Sequence, residues 1–261
     1  MKLNSANINI LVKTCRNAAK VLIRDFGELE HLQVSLKGPG DFVTASDKKV
    51  EKIIIEELQK ARPNYSILSE EIGEIKNDSE FKWIIDPIDG TSNFLHGIPH
   101  FAISIGLEYN GEIICGIIYD PIKDEMFIAE KGNGSYMNNK RLRVSARTKL
   151  KDCIIFSGGP RFNSENKELV FEEYKKISAK VHTAIRKFGS ASLDLAYVAA
   201  GRCDGFWQRD LNYWDIAAGV ILVKEAGGFV TDFNGENRYI ENKTILVTNS
   251  KITNEMSEIL K

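Results

Sequence analysis

A short apolar run at positions 83–85 leads directly into two acidic residues, Asp86 and Asp89, with Pro87 between them. The apolar run predicts a buried strand, and the proline stiffens the turn that follows it. Two carboxylates at one strand end can converge on a hard divalent cation such as Mg²⁺. In the alternative interpretation, Asp86 is a turn residue and Asp89 caps a helix. The segment therefore predicts a strand end that is either a metal site or an ordinary turn.

The next three residues, Gly90, Thr91 and Ser92, are suited to contact a phosphate group. Gly90 lets the backbone approach a ligand closely, and amides at a helix start present donors to an anion. The Thr91 hydroxyl could pair with Asp47, and such a pair could position and deprotonate a metal-bound water. Helix capping explains Asp47 without any chemistry, so both interpretations stay open at this residue.

Further acidic residues follow other predicted elements. Glu70 and Glu71 come after the apolar pair at 67–68, which again places carboxylates at a strand end. Glu74 lies close by, so a solvated acidic loop is the alternative. Asp215 lies at the start of a predicted helix, where it is either a cap or a further ligand.

Apolar spacing divides the chain into an N-terminal α+β half, 1–149, and a C-terminal α/β half, 150–261. The first half is predicted to pack two helices on a largely antiparallel sheet, and no Pro/Gly-rich linker separates it from the second. Its predicted elements are helices at 8–26 and 46–61, the second capped by Thr44, Ser46 or Asp47, and strands at 67–68, 83–85, 102–107, 113–119, 126–129, 135–137 and 142–144. In the second half, we expect strands at 153–156, 181–185, 206–208, 229–231 and 245–248, and helices at 165–176, 190–200, 215–226 and the chain end.

Composition excludes several classes of protein. The formal net charge is −1, from 35 basic and 36 acidic residues, so direct binding to nucleic acid is not expected. The four cysteines form no CxxC pair, which argues against a zinc knuckle or a redox dithiol. The sequence shows no signal-peptide pattern and no apolar run long enough to span a bilayer, so we expect a cytoplasmic protein without membrane contact.

Taken together, these segments resemble the inositol monophosphatase family over almost the whole chain. The run Asp-Pro-Ile-Asp-Gly-Thr at 86–91 is similar to one family signature, and the run from Trp214 through Gly228 is similar to the other. The stretch at 189–202 resembles the bacterial branch, often called the extragenic suppressor type. The resemblance implies a layered αβαβα sandwich, a homodimer, and lithium-sensitive hydrolysis of small phosphate esters with two or three Mg²⁺ ions.

The resemblance also implies roles for individual residues. It implies that Glu70, Asp86 and the Ile88 carbonyl hold one metal and that Asp86, Asp89 and Asp215 hold a second. It implies that Thr91 and Asp47 orient the attacking water without a covalent enzyme intermediate. The implied substrate contacts are Asp89, Gly90, Thr91, Ser92, Arg186, Gly189, Ser190, Ala191, Gln208 and Asp215.

One position departs from the family pattern. Gln208 stands where the family usually has a glutamate that contacts inositol hydroxyls, so it can form hydrogen bonds but brings no negative charge. The expected substrate is therefore inositol 1-phosphate or a related small phosphate monoester, with fructose 1,6-bisphosphate or a 3′-phosphonucleotide as alternatives. A third hypothesis, by analogy with the bacterial branch, is a non-enzymatic contact with the transcription machinery.

Overall fold

The computed structural model describes residues 5–29, 34–38, 41–159 and 164–261. In chain order, its helices and strands are α1 (Ala6–Gly27), β1 (Val34–Gly38), β2 (Asp41–Thr44), α2 (Ala45–Ala61), β3 (Ser66–Ser69), β4 (Gly73–Ile75), β5 (Phe81–Asp89), α3 (Thr91–Leu95), β6 (Ala102–Tyr109), β7 (Glu112–Asp120), β8 (Glu125–Glu130), β9 (Gly134–Met137), β10 (Lys140–Arg141), β11 (Ile155–Ser157), α4 (Lys167–Ser178), α5 (Ala191–Ala199), β12 (Gly205–Arg209), α6 (Tyr213–Glu225), β13 (Phe229–Thr231), β14 (Thr244–Thr248) and α7 (Thr253–Leu260).

Three hydrophobic clusters join these elements into five layers. An eight-stranded sheet has the order β10-β9-β8-β7-β6-β5-β3-β4, and a four-stranded sheet has the order β11-β12-β14-β13. The first cluster lies between α1, α2 and one face of the larger sheet, and the second joins its opposite face to α5, α6 and the smaller sheet. The third packs the smaller sheet against α4 and α7. The mixed α+β sandwich with layers αβαβα is therefore confirmed.

Strand β5 lies between two of these clusters and is buried on both faces. Trp83 and Ile85 belong to the first cluster, whereas Ile84 belongs to the second, because successive side chains of a strand point to opposite faces. This explains why 83–85 is a continuous apolar run rather than an alternating one. The end of β5 is consequently fixed in the middle of the molecule.

Helix α6 approaches the larger sheet very closely. A Cβ atom on Gly116 of β7 would lie 2.9 Å from the Ala218 Cα and 3.0 Å from a methyl group of Ile221, so only glycine fits there. The small residues therefore allow the helix to sit directly against the sheet. This close packing fixes the helix that carries Asp215.

Two predicted strands are wrong. Residues 142–144 belong to no strand, since Leu142 donates its amide to the Ser135 carbonyl and Val144 donates to the Ala226 carbonyl. Residues 181–185 are also irregular, and a single bridge joins Arg186 to Phe156. In both segments the apolar residues pack on a core without joining a regular ladder, which periodicity does not distinguish from a strand.

The other predicted elements are confirmed with small shifts at their ends. Helix α4 begins at Lys167 and ends at Ser178, two residues later than predicted at each end, and α6 begins at Tyr213. The second cluster contains residues from both 1–149 and 150–261, which share it as one core. The division into two halves at 149/150 stays a prediction. None of the helices in the described ranges is long and apolar enough to cross a membrane.

The buried ring of His100 makes stability depend on pH. Burial, and then the nearby Lys123 ammonium, lower the pKa of His100 to about 4, while Asp120 opposes the shift. The unfolded chain binds this proton near pH 6.5, whereas the folded chain does not, so stability is lost as pH falls below that value. We expect the free energy of unfolding to fall by about 2 kcal/mol between pH 7 and pH 5 through this residue. Urea unfolding at both pH values measures the loss, and an equally large loss in His100→Gln would contradict the assignment.

Candidate active site

An interruption at the end of β5 places Asp86 and Asp89 together. The pairing of β5 with β6 shifts register between these two residues, where Pro87 has no amide hydrogen to donate. The Ile88 amide instead donates to Oδ1 of Asp86 at 3.0 Å. Both aspartates are buried, with 1% and 9% of their surface exposed. Pro87 therefore lies at a break in the ladder, which resumes where Asp89 pairs with Ala102, and both carboxyl groups lie in the interior.

Gly90 follows in a conformation that favours glycine. Its φ is 95°, and a Cβ atom there would lie 3.1 Å from the His100 carbonyl oxygen and 3.3 Å from the Gly189 carbonyl oxygen. Helix α3 begins immediately afterwards at Thr91. The predicted turn of close backbone approach is therefore present at Gly90, and Ser92 lies on the exposed side of the same turn.

Asp47 both caps a helix and contacts Thr91. Its Oδ2 accepts hydrogen bonds from the amide and the hydroxyl of Thr44, at 2.7 Å and 2.5 Å, which completes a capping box with Thr44 as N-cap of α2. Its Oδ1 lies 3.3 Å from Oγ1 of Thr91. The same Thr91 hydroxyl lies 2.9 Å from the Ile88 carbonyl oxygen. The two interpretations of Asp47 are thus compatible, since each carboxylate oxygen has a separate contact.

Burial raises the pKa of this carboxyl. The pKa of Asp47 rises to about 6, because removal from water favours the neutral form and the charge of Glu71 adds to that effect. Hydrogen bonds from Thr44 oppose the shift by stabilising the carboxylate. Thr44 therefore helps to keep Asp47 in the form that can accept a proton.

The charges of several acidic residues act on the buried carboxyl group of Asp86. The pKa of Asp86 is raised well above its usual range, first by burial and then by four nearby carboxylates, those of Glu70, Asp89, Asp215 and Asp47. Asp215 is not the helix cap that the sequence predicted: Asn212 is the N-cap of α6, and Asp215, in the first turn, accepts the Asn212 amide at 2.7 Å. Among the described residues, no lysine or arginine forms an ion pair with Asp86 or Asp89.

These residues fit a hard metal ion. Buried carboxylates of like charge need a proton, a donor or a cation to compensate them, and Mg²⁺ accepts oxygen ligands. Among the described residues, no group of three or more His, Cys, Asp or Glu side chains lies close enough together to hold a metal ion. The proposed ligands instead share a region of negative potential around Asp86, and the ligand set itself stays a prediction. The residues that could supply its oxygen atoms are Glu70, Asp86, Ile88, Asp89 and Asp215.

Asp89 also ties the end of β5 to helix α5. Its Oδ2 accepts three hydrogen bonds, from Oγ of Ser190 at 2.6 Å, from the Ser192 amide at 2.7 Å and from Oγ of Ser192 at 2.5 Å. Burial raises the pKa of Asp89, and these donors oppose the rise. Ser190 is also the N-cap of α5, so one serine fixes both a helix start and a candidate ligand.

A cavity of about 190 Å³ opens beside Asp89. It brings together six of the predicted contact residues and leaves Arg186 outside its lining, exposed and bonded to the Ala184 carbonyl. The lining residues are Asp89, Gly158, Gly189, Ser190, Ala191, Asp194, Gln208, Leu211 and Asp215.

Two residues near the site were missed by sequence reasoning, Glu51 and Asp194. Glu51 looks like an ordinary charged position of an amphipathic helix, although only 2% of its surface is exposed. Asp194 lies in the apolar helix α5, where a charged residue among Leu193, Leu195 and Ala196 was the available signal.

Glu51 anchors the loop that carries Glu70. Its Oε1 accepts hydrogen bonds from the Ser69 hydroxyl, from the Glu71 amide at 3.0 Å and from the Ile72 amide at 3.3 Å. Groups that orient metal ligands typically change metal affinity by about 10- to 100-fold when removed. We expect Glu51→Ala to raise the Mg²⁺ concentration for half-maximal activity by about 10-fold.

A Mg²⁺ titration of phosphate release measures this effect. Glu56→Ala on the same helix is the matched control, because the Glu56 side chain is 63% exposed. An unchanged Mg²⁺ requirement in a folded Glu51→Ala variant would show that the loop does not depend on this anchor.

The five-layer fold, with clustered acids and a Thr–Asp pair at one strand end, places the protein in the class of phosphatases. The chain belongs to the inositol monophosphatase family, whose sequence model matches residues 4–260. The family predicted from the sequence is therefore confirmed.

Three relatives illustrate how far the similarity extends. The chain is 50% identical over 257 residues to an inositol-1-monophosphatase of Rhizobium meliloti, covering 98% of this chain and 96% of that protein. It is 41% identical over 249 residues to the Nus factor SuhB of Pseudomonas aeruginosa, covering 94% and 92%. The crystal structure of the extragenic suppressor protein suhB from Bartonella henselae is 50% identical, with a TM-score of 0.95 over 98% of this chain and 99% of that one. The similarity to the bacterial branch is also confirmed.

Proposed function

We propose that the protein is a Mg²⁺-dependent phosphomonoesterase that hydrolyses inositol 1-phosphate or related small monoesters by direct attack of water. The observation that carries the proposal is the buried Asp86, whose pKa is raised by burial and by the nearby charges of Glu70, Asp89, Asp215 and Asp47. Such a concentration of negative charge is suited to hold divalent cations, and a strand end that also presents Gly90 can bring a phosphate beside them.

The ligands of one Mg²⁺ would be Glu70, Asp86 and the Ile88 carbonyl, and those of a second would be Asp86, Asp89 and Asp215. When bound, the ions would supply charge neutralisation and lower the pKa of the nucleophilic water. We propose two or three such ions per active site.

The protein's own groups would orient the water and the ester. Oγ1 of Thr91 would accept a hydrogen bond from the water while its single hydrogen turns from the Ile88 carbonyl, 2.9 Å away, to Oδ1 of Asp47, 3.3 Å away. As the water attacks phosphorus, its proton would pass to Oγ1 of Thr91 while the Thr91 hydrogen passes to Oδ1 of Asp47, which would become neutral. The backbone amides of Gly90 and Thr91, with Ser92 beside them, would hold the phosphate oxygens. No nucleophilic side chain is needed, so no covalent intermediate forms.

The cavity favours a small alcohol as the leaving group. Its volume of about 190 Å³ is below the roughly 300 Å³ at which typical ligand pockets begin. Gly189, Ser190 and Ala191 would line the alcohol side, and Gln208 would donate or accept a hydrogen bond there. Arg186 would contact substrate only from outside this cavity. A polyol monophosphate therefore fits better than a 3′-phosphonucleotide.

A panel of phosphate esters tests the substrate class. Purified protein with Mg²⁺ is given inositol 1-phosphate, other sugar monophosphates, fructose 1,6-bisphosphate and a 3′-phosphonucleotide, and released phosphate is measured. The proposal expects the highest kcat/KM with a polyol monophosphate. A higher kcat/KM with fructose 1,6-bisphosphate or with the 3′-phosphonucleotide would favour the corresponding alternative instead. Lithium is expected to inhibit phosphate release.

A second candidate role is a contact with the transcription machinery. The observation that favours it is the 41% identity to a protein named a Nus factor. The net charge of −1 argues for a protein contact rather than direct binding to nucleic acid. Affinity capture from a cell extract that recovers no transcription component would count against it.

We also propose that the protein is a homodimer located in the cytoplasm. Light scattering of the purified protein tests the dimer.

A further inference from the structure

Asp194 is a buried acid without a protein partner. Only 1% of its surface is exposed, and neither carboxylate oxygen has a hydrogen-bond partner among the described residues. Leaving a buried polar group unpaired costs free energy, and native structures rarely do so. The other buried aspartates show the usual solution, since Asp204 accepts the Ile154 amide at 2.7 Å and Asp232 accepts the Glu236 amide at 2.7 Å.

The position of Asp194 suggests what completes its hydrogen bonding. The residue lines the cavity beside Asp89, together with Ser190 and Gln208. A carboxyl group in either protonation state keeps an oxygen lone pair that can accept a hydrogen bond. The missing partner is therefore a donor that occupies the cavity.

The remaining wall of the cavity indicates the kind of donor. The Gln208 amide lies directly against Gly158, where an added Cβ atom would be 1.9 Å from its Oε1. The lining contains a serine, a glutamine and three aspartates, and no lysine or arginine within the described residues. Such a wall accepts neutral hydroxyl groups and repels a second phosphate.

We infer that Asp194 determines specificity: its carboxyl group accepts a hydrogen bond from a hydroxyl of the polyol half of a phosphate monoester bound in this cavity. The inference rests on the proposed function and names its substrate class as monophosphates of polyols. Gln208 is uncharged but can donate a hydrogen bond to the substrate, whereas Asp194 can accept one from it.

Two substitutions at this position separate hydrogen bonding from shape. Asp194→Leu keeps an apolar side chain of similar size and removes the acceptor, whereas Asp194→Asn keeps one acceptor oxygen. Each variant and the wild type are assayed with Mg²⁺ on the best polyol monophosphate of the panel and on p-nitrophenyl phosphate, whose leaving group has no further hydroxyl. Loss of one hydrogen bond to a buried carboxyl group lowers kcat/KM about 10-fold, so we expect that loss for Asp194→Leu on the polyol ester alone.

Further readouts distinguish this role from a structural one. Asp194→Leu is expected to melt at or above the wild-type temperature, because it removes an unpaired buried carboxyl group. The free polyol is expected to raise the melting temperature of the wild type and not that of Asp194→Leu. Asp194→Asn is expected to keep more of the polyol activity than Asp194→Leu. Asp152→Asn, an amide substitution at a half-exposed position outside the cavity, is the control.

The outcomes are separable from those of the proposed function. If the wild type hydrolyses both esters and Asp194→Leu changes kcat/KM equally for the two, the inference is wrong and the phosphatase proposal stands. If Asp194→Leu leaves the polyol kcat/KM unchanged, the inference is likewise wrong. If the wild type releases phosphate from neither ester, both are overturned.

Discussion

Asp89→Asn is expected to lower phosphate release by about 1,000-fold or more while the protein stays folded. Oδ2 of Asp89 receives three hydrogen bonds from Ser190 and Ser192, so an asparagine will turn its carbonyl oxygen toward those donors. Its NH₂ group then points to the side on which a metal would lie, and an amide nitrogen cannot serve as a ligand there. The substitution thus removes one charge and one ligand with little change in volume.

Phosphate release and thermal unfolding are measured on the same preparation of Asp89→Asn. Asp120→Asn would be a poor control because Asp120 is buried and paired with Lys123. Asp78→Asn is preferable, since Asp78 is an exposed residue between β4 and β5. Wild-type turnover in a folded Asp89→Asn protein would exclude Asp89 from the metal site.

Thr91→Val is expected to lower kcat by about 100- to 1,000-fold, because it removes the hydroxyl that would orient the water. Valine has nearly the shape of threonine, so the turn at Gly90 and the start of α3 should persist. The Mg²⁺ concentration for half-maximal activity should rise by at most about 10-fold, since the Thr91 hydroxyl is not a proposed ligand but lies 2.9 Å from the Ile88 carbonyl, which is one.

Thr91→Ser is the matched variant for this prediction. Serine retains the hydroxyl that lies 3.3 Å from Oδ1 of Asp47, so it should recover most of the turnover. Equal turnover in the valine and serine variants would contradict a role for the hydroxyl. A large rise in the Mg²⁺ requirement of Thr91→Val would instead indicate that the residue supports the metal site.

The layers and most helices could be predicted because their signals are local. The apolar run 83–85 indicated a buried strand, and the helices at 8–26 and 46–61 had the spacing of an amphipathic helix. Residues 142–144 and 181–185 have the same apolar character but lie outside regular strands. What decides between these cases is the partner for each backbone amide, and a single sequence does not identify that partner.

A residue of the candidate site could be predicted where its immediate sequence neighbours indicated its position in a strand, turn or helix. Asp86 and Asp89 follow a strand and precede a glycine turn, so their convergence could be expected from local geometry. The contact of Asp47 with Thr91 joins residues 44 positions apart, and sequence alone gave only the pairing as a hypothesis. Glu51 and Asp194 became visible only through their surroundings, because one is bonded to a distant loop and the other has no partner in the described chain.

The central claim is that the charge gathered around Asp86 holds catalytic Mg²⁺ for the hydrolysis of phosphate monoesters. Its most direct test is the rate of phosphate release from inositol 1-phosphate by the purified chain, first in EDTA and then across a Mg²⁺ titration. The account predicts no release above the uncatalysed rate in EDTA and a saturable recovery as Mg²⁺ is added. The same rate in EDTA and in Mg²⁺, or no release at any Mg²⁺ concentration, would contradict it.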